Sequence, residues 1–348
     1  MSRNEQPPLQ LEIMQDSLLV QEGRKSQRLS LDFCIHNHTK LEWYLRSLDL
    51  QVYDSDGQIF FKRRLDEQAI SPSIALIAER NVPPRGSLDI LNPFFCFDEG
   101  LPINRLQYRF SFKAEQDKNF NLETDVYPRR YLQTVMLDMP IKGRILVDDG
   151  NDFYSQHRRL TLNHPLIRQM GITTNMQRYA WDFMVVDKDG YVCKSDGGVL
   201  QDYYGFGHPI YAPANGKVFE VRTGLPDDPP DAPSLSVDDF ISEPILSMGN
   251  YIIIDHGTGE YSLIGHCQQG SINLKEGNLV NGGEIIACIG NSGWTIRPHL
   301  HYQLMDDPDF AHTQVLPARF KEFSLVLGSQ TQTILNDYPD SGEIIYVR

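Results

Sequence analysis

The segment "RPHLHYQ", Arg297 to Gln303, places two imidazoles two residues apart. On a strand successive side chains alternate between faces, so His299, His301 and Gln303 share one face and Leu300, Tyr302 and Leu304 the other. The apolar trio can enter a core, which turns the imidazoles together toward a groove or toward solvent. Histidine titrates near neutrality and also ligates zinc, so this spacing points to metal binding or acid–base chemistry. The pattern alone is weakly specific. "CIHNHTKLEW" holds a second such pair, His36 and His38, at polar positions near a strand end where plain solvation is the expected role.

The elements around these residues read as strands almost throughout. "LDLQVYDSDGQIFFKRRL" alternates through Leu48, Leu50 and Val52, turns at Asp54-Ser55-Asp56-Gly57 and returns, which predicts a hairpin. "RLSLDFCIHNH", "GSLDILNPFFCF" and "LQYRFSFKAE" repeat the period of two. Short strands without helices between them predict an antiparallel β-sandwich of immunoglobulin type over residues 1–138. After a connecting stretch, "RYAWDFMVVD", "GHPIYAPANGKVFEVR", "NYIIIDHGTGEYSLIGH", "EIIACIGNSG" and "PHLHYQLM" resume the strand pattern, giving a second β domain over 139–325. A C-terminal tail, 326–348, ends in the strand-like "GEIIYVR". The fold class expected is therefore all-β with two domains. Between Gly224 and Gly249 a stretch rich in proline and aspartate breaks the pattern and reads as a long surface excursion, a candidate lid.

With those pieces in order, residues 178 to 305 resemble the lysostaphin-type (LytM-like) zinc endopeptidases, which cut peptide bonds in bacterial peptidoglycan. "DFMVVD" looks like the first ligand strand of that family and "GHPIYAPANGKVFEV" like its strand–turn–strand. "GNYIIIDHGTGEYSLIGH" resembles the hairpin ending in histidine, and "GNSGWTIRPHLHYQ" the closing segment. The resemblance implies an antiparallel β domain with a groove. It implies Asp182 and His301 as zinc ligands, with His299 acting on the water as base and His266 stabilising the oxyanion. A catalytic zinc takes about three protein ligands and keeps a position open for water. The family's first ligand, a histidine four residues before the aspartate, is replaced here by Arg178, a fixed cation that cannot ligate. The nearest other donors in sequence are His157 and His164, Asn175 being a poor zinc ligand, and a chain bent differently here would admit His157. Two functions follow: a zinc-dependent peptidoglycan endopeptidase, or a catalytically inactive module that holds cell-wall peptide or a protein partner. Arg178 speaks for the module, and retention of the other positions for the enzyme.

Blander roles compete for several of these residues. Asp182 could pair with Arg178. His256 in "DHGTG" belongs to turn geometry, His208 to a loop, and Trp181 and Trp294 to packing. Gly205, Gly207, Gly257 and Gly259 mark turns.

Composition narrows the partners. The 348 residues carry a formal net charge of −14, with 41% hydrophobic and 22% charged residues. That balance argues against a nucleic-acid surface. No apolar run is long enough to span a membrane. The opening "MSRNEQPPLQ" lacks an apolar core, so it is not read as a signal peptide, although the resembling family acts outside the cytoplasm. Five cysteines, Cys34, Cys96, Cys193, Cys267 and Cys288, at wide spacings form no Cys-x-x-Cys pair and are expected as reduced core residues. The N-terminal domain is the candidate surface for a protein partner.

Overall fold

A computed structural model describes residues 6–15 and 17–348. The chain divides after Tyr131 into two compact units, the second running Leu132–Arg348. The division lies a few residues before the boundary expected from the sequence.

In the first unit, apolar residues at alternate positions build strands whose inner faces meet. Leu48, Leu50 and Val52 of the strand Trp43–Tyr53 are fully buried. That strand pairs with Ile59–Asp66 across the anticipated turn, where the Asp54 carboxylate accepts from the Asp56 and Gln58 amides and Gly57 takes a left-handed φ of 75°. The sheet runs Asn119–Val126, Arg105–Ala114, Trp43–Tyr53, Ile59–Asp66, and a second runs Leu9–Ile13, Asp32–Asn37, Ser87–Leu91. Phe33 of the second packs edge-on against Tyr108 and Phe110 of the first, both centroids 4.9 Å away, so the two sheets face each other across one core. We keep the immunoglobulin-type assignment as a proposal, supported by that facing pair. His36 and His38, both half-buried, bond Glu12 and Gln10 of the neighbouring strand Leu9–Ile13.

The second unit centres on one long sheet. Its order is Leu279–Val280, Gly216–Arg222, Asn250–Asp255, Tyr261–Cys267, Leu300–Met305, Trp181–Val185, Gly143–Asp149, Ile344–Val347, Phe320–Leu327, Gln330–Asp337, with antiparallel pairing throughout. The last residues of the chain are thus strands of this sheet and not a separate tail. Ile344–Val347 carries buried Ile345 against fully buried Ile145, which explains why the chain returns there. One face of the central strands packs Trp181, Phe183, Tyr302 and Phe320 into an aromatic cluster. Trp181 is therefore a packing residue, fully buried, with its indole N–H donated to the Pro339 carbonyl at 3.1 Å.

The Gly224–Gly249 excursion contains no strand, as its prolines dictate, but it is more ordered than its composition suggested. Ser236 and Asp239 cap each other's backbone amides and start the helix Val237–Ser242. A 3-10 turn, Pro244–Met248, follows and buries Met248. Asp227 accepts from the Asn291 amide, and Phe240 stacks near Trp294, so the excursion is fastened to the loop that leads into His299.

Candidate metal centre

The face opposite the aromatic cluster gathers the histidines. Asp182 lies directly across from His301, and His301 across from Gly265, so three neighbouring strands present one floor. Because Trp181 and Phe183 are drawn into the core, strand alternation leaves Asp182 on the other face, and Leu300 and Tyr302 do the same for His299 and His301.

His266 requires a different device. It follows Gly265 by one residue, so regular alternation would turn it away from His301. Its backbone instead adopts φ 58°, in the left-handed region that histidine enters only rarely. The break in alternation carries the ring back to the floor, 4.6 Å from the His299 ring and 5.9 Å from that of His301.

His157 arrives from outside the sheet, on the short 3-10 turn His157–Arg159. Asn175 Nδ2 donates to the carbonyls of His157 and Arg158 at 2.8 and 3.1 Å, and Asp149 Oδ2 accepts from the amides of Gln156 and His157. The imidazole so placed has Nε2 3.4 Å from Asp182 Oδ2 and Nδ1 3.5 Å from Asp149 Oδ2. His301 Nδ1 stands 3.0 Å from Asp182 Oδ1.

His157, Asp182 and His301 thus offer three ligand atoms all within 4.8 Å of one another. Donors about 2.0–2.1 Å from a tetrahedral zinc lie roughly 3.3 Å apart, which is the spacing of the close pairs here. The tautomer of His301 also fits. Gln303 Nε2 donates to the Met176 carbonyl at 3.0 Å, which aims Oε1 at His301 Nε2, also 3.0 Å away. When His301 donates from Nε2 to Gln303 Oε1, Nδ1 can give its lone pair to a metal shared with Asp182; without a metal the ionised carboxylate only accepts and calls for a proton on Nδ1. The residues present suit a zinc ion.

Two other imidazoles flank this group. His299 Nδ1 donates to the Arg297 carbonyl at 2.8 Å and its Nε2 lies 3.4 Å from Asp182 Oδ1. His266 Nδ1 donates to the Ser292 carbonyl at 2.8 Å. In both rings the chemistry is left to Nε2.

Electrostatics separates the four rings. Burial disfavours charge on each. For His157 and His299 the Asp182 carboxylate outweighs burial, raising His157 to about 9 and His299 above its usual value. His266 is held well below its ordinary value by burial and by its neighbours His299 and His301, and burial also lowers His301. Asp182 is half-buried, and His299 and His157 pull it well below the carboxylate range against the desolvation that would raise it.

Of the residues singled out from sequence, Asp182, His266, His299, His301 and His157 meet in one place. His164 does not enter: it caps the helix Pro165–Gln169, its ring accepting from the Leu166 amide. Asn175 serves as a support for the His157 turn. Arg178 is buried, with its amide bonded to the Asn175 carbonyl. His256 is fixed between the Asn215 carbonyl and Ser262, and His208 bonds the Lys142 carbonyl. Gln303 and Asp149 were not recognised as supports from sequence, although the shared face of His299, His301 and Gln303 was the signal for the first.

Residues 201–313 match the model of peptidase family M23, a segment that includes His266, His299 and His301 and begins after Asp182. Over 57 residues the chain is 39% identical to the peptidoglycan DD-endopeptidase ShyA of Vibrio cholerae, a match spanning 16% of this chain and 13% of that protein. Solved structures with some likeness include the catalytic domain of the antimicrobial peptidase lysostaphin from Staphylococcus simulans, at 20% identity over 40% of this chain and 75% of that one, TM-score 0.25. A zinc containing peptidase from Vibrio cholerae is 14% identical over 90% of this chain and 86% of that one, TM-score 0.28.

Proposed function

We propose, for a chain that carries a peptidase family M23 domain of the lysostaphin type, that its second unit is a zinc-dependent endopeptidase acting on peptide bonds of bacterial peptidoglycan. The observation that carries the reading is the convergence of His157, Asp182 and His301, with His266 and His299 beside them. Arg178 spoke for an inactive module because it removes a ligand from the sequence motif, and His157 supplies the third donor from another element.

His157 Nε2, Asp182 and His301 Nδ1 would hold the zinc. Zinc bound there supplies Lewis acidity to the scissile carbonyl and to the attacking water. The protein's own groups then divide the proton work. His266 is neutral, and its Nδ1–H is committed to the Ser292 carbonyl, so Nε2 offers a lone pair that can take a proton from water. His299 has its Nδ1–H on the Arg297 carbonyl and likewise presents Nε2, beside Asp182, so one of the two rings can take the proton from water while the other, when charged, donates to the developing oxyanion.

The test is metal content together with turnover. Protein purified without chelator should hold near-stoichiometric zinc and release peptides from peptidoglycan. His301→Ala should lose both. Absence of zinc after reconstitution would leave the inactive peptide-binding module as the better reading, and turnover retained in His301→Ala would overturn the ligand set.

A further inference from the structure

We propose that Asp148 is a specificity-determining residue of this groove: its carboxylate receives a primary ammonium carried by the substrate residue next to the scissile bond. The proposal rests on the endopeptidase reading above and names the substrate class for that site.

Its basis is the path of the strand Gly143–Asp149. Ile145 and Val147 are fully buried and pair with Val185 and Phe183 on the aromatic side of the sheet. Alternation therefore puts Leu146 and Asp148 on the side that bears Asp182 and His301. A bulge falls between Val147 and Asp149: Val147 opposes Phe183, Asp149 opposes Asp182, and Asp148 is the extra residue. Bulges redirect side chains beside active sites, and here two successive carboxylates face the same floor.

The two then part in role. Asp149 holds the His157 turn through two backbone amides. Asp148 is exposed, and among the described residues its carboxylate has no hydrogen-bond or ion-pair partner. Its electrostatic neighbours are Asp182, His299, Arg297 and His157, which puts it within reach of the reacting centre. Adjacent strands lie about 4.8 Å apart, so a group bound by Asp148 sits no more than about one residue from the bond under attack.

An exposed carboxylate without a protein partner, beside the histidines of the metal centre, is complementary to a cation. Zinc has its own three donors, and Arg297 makes no ion pair with Asp148 among the described residues. That leaves the cation to the substrate. A primary amine fits best, because an ammonium can bond one carboxylate from a single direction, whereas a guanidinium prefers a bidentate fork.

The experiment uses the zinc-loaded full chain and two short end-blocked alanine peptides containing one lysine, its side-chain amine free in one and acetylated in the other. Calorimetry on wild type should find the free amine bound roughly tenfold tighter, the scale of one hydrogen bond to a charged group. Asp148→Asn should bring that ratio to about one, Asp148→Glu should restore part of it, and the melting temperature of each variant reports folding. Equal binding of the two peptides by wild type, binding of neither, or a preference that survives in Asp148→Asn would overturn the proposal. Binding is read without turnover. An amine preference lost in Asp148→Asn, in a protein that cleaves nothing, would sink the endopeptidase reading and leave Asp148 as the amine-binding residue of a peptide-holding module.

Discussion

At the scale of single residues, charge decides how the site behaves before any metal arrives. His157 titrates near 6.5 when free and near about 9 in the fold, raised against burial by Asp182. Its pairing with Asp182 therefore contributes stability that is complete below 6.5 and is lost as the pH rises through about 9. Asp182, whose pKa is depressed, contributes above its free value of 3.8 and loses that contribution as the pH falls below it. Denaturant unfolding of the metal-free protein should accordingly weaken on the alkaline side, by on the order of 3 kcal/mol from His157. His157→Ala should shrink that alkaline limb to the share His299 contributes through the same carboxylate. A wild-type profile that stays flat through the same range would contradict the assignment. Zinc must also displace the His157 proton, so its affinity should climb with pH over the same window.

At the scale of elements, strand alternation made a large part of the site readable. The apolar partners Trp181, Phe183, Leu300 and Tyr302 declare their own face, and Asp182, His299, His301 and Gln303 follow by parity. Two parts escaped that logic. His266 breaks parity through its left-handed backbone, which no side-chain pattern encodes. His157 depends on pairings between Asp149, Asn175 and the turn it occupies, contacts distant in sequence and invisible to local periodicity. The final strand Ile344–Val347 is legible in "GEIIYVR", whereas Gln330–Asp337 is largely exposed and lacks a clean alternation. The support given by Asn175 can be measured. Asn175→Ala leaves two buried carbonyls without their donor and should cost about 1–3 kcal/mol in stability. Zinc affinity should fall roughly 10- to 100-fold, as when other residues that orient metal ligands are lost. Unchanged affinity in a folded Asn175→Ala would show that the turn holds itself.

At the scale of the molecule, His157, Asp182, His266, His299 and His301 all belong to the second unit, and the first contributes none of them. A fragment running Leu132–Arg348 should therefore bind one zinc with the affinity of the full chain, measured by metal titration. Loss of binding in a folded fragment would assign the first unit a part in the site. In the full chain, zinc at a hundred times its dissociation constant should raise unfolding free energy by about 2.7 kcal/mol, an increment that a chelator removes. The first unit has its own aromatic core, built around Phe33, Tyr108 and Phe110. The bulge at Asp148 has an evolutionary corollary. Removing that one residue would restore a regular ladder in which Asp149 still opposes Asp182, so under the two proposals above hydrolysis and amine selectivity would be separable by the loss of a single codon. Descendants of such a chain would then change diet without rebuilding the catalyst.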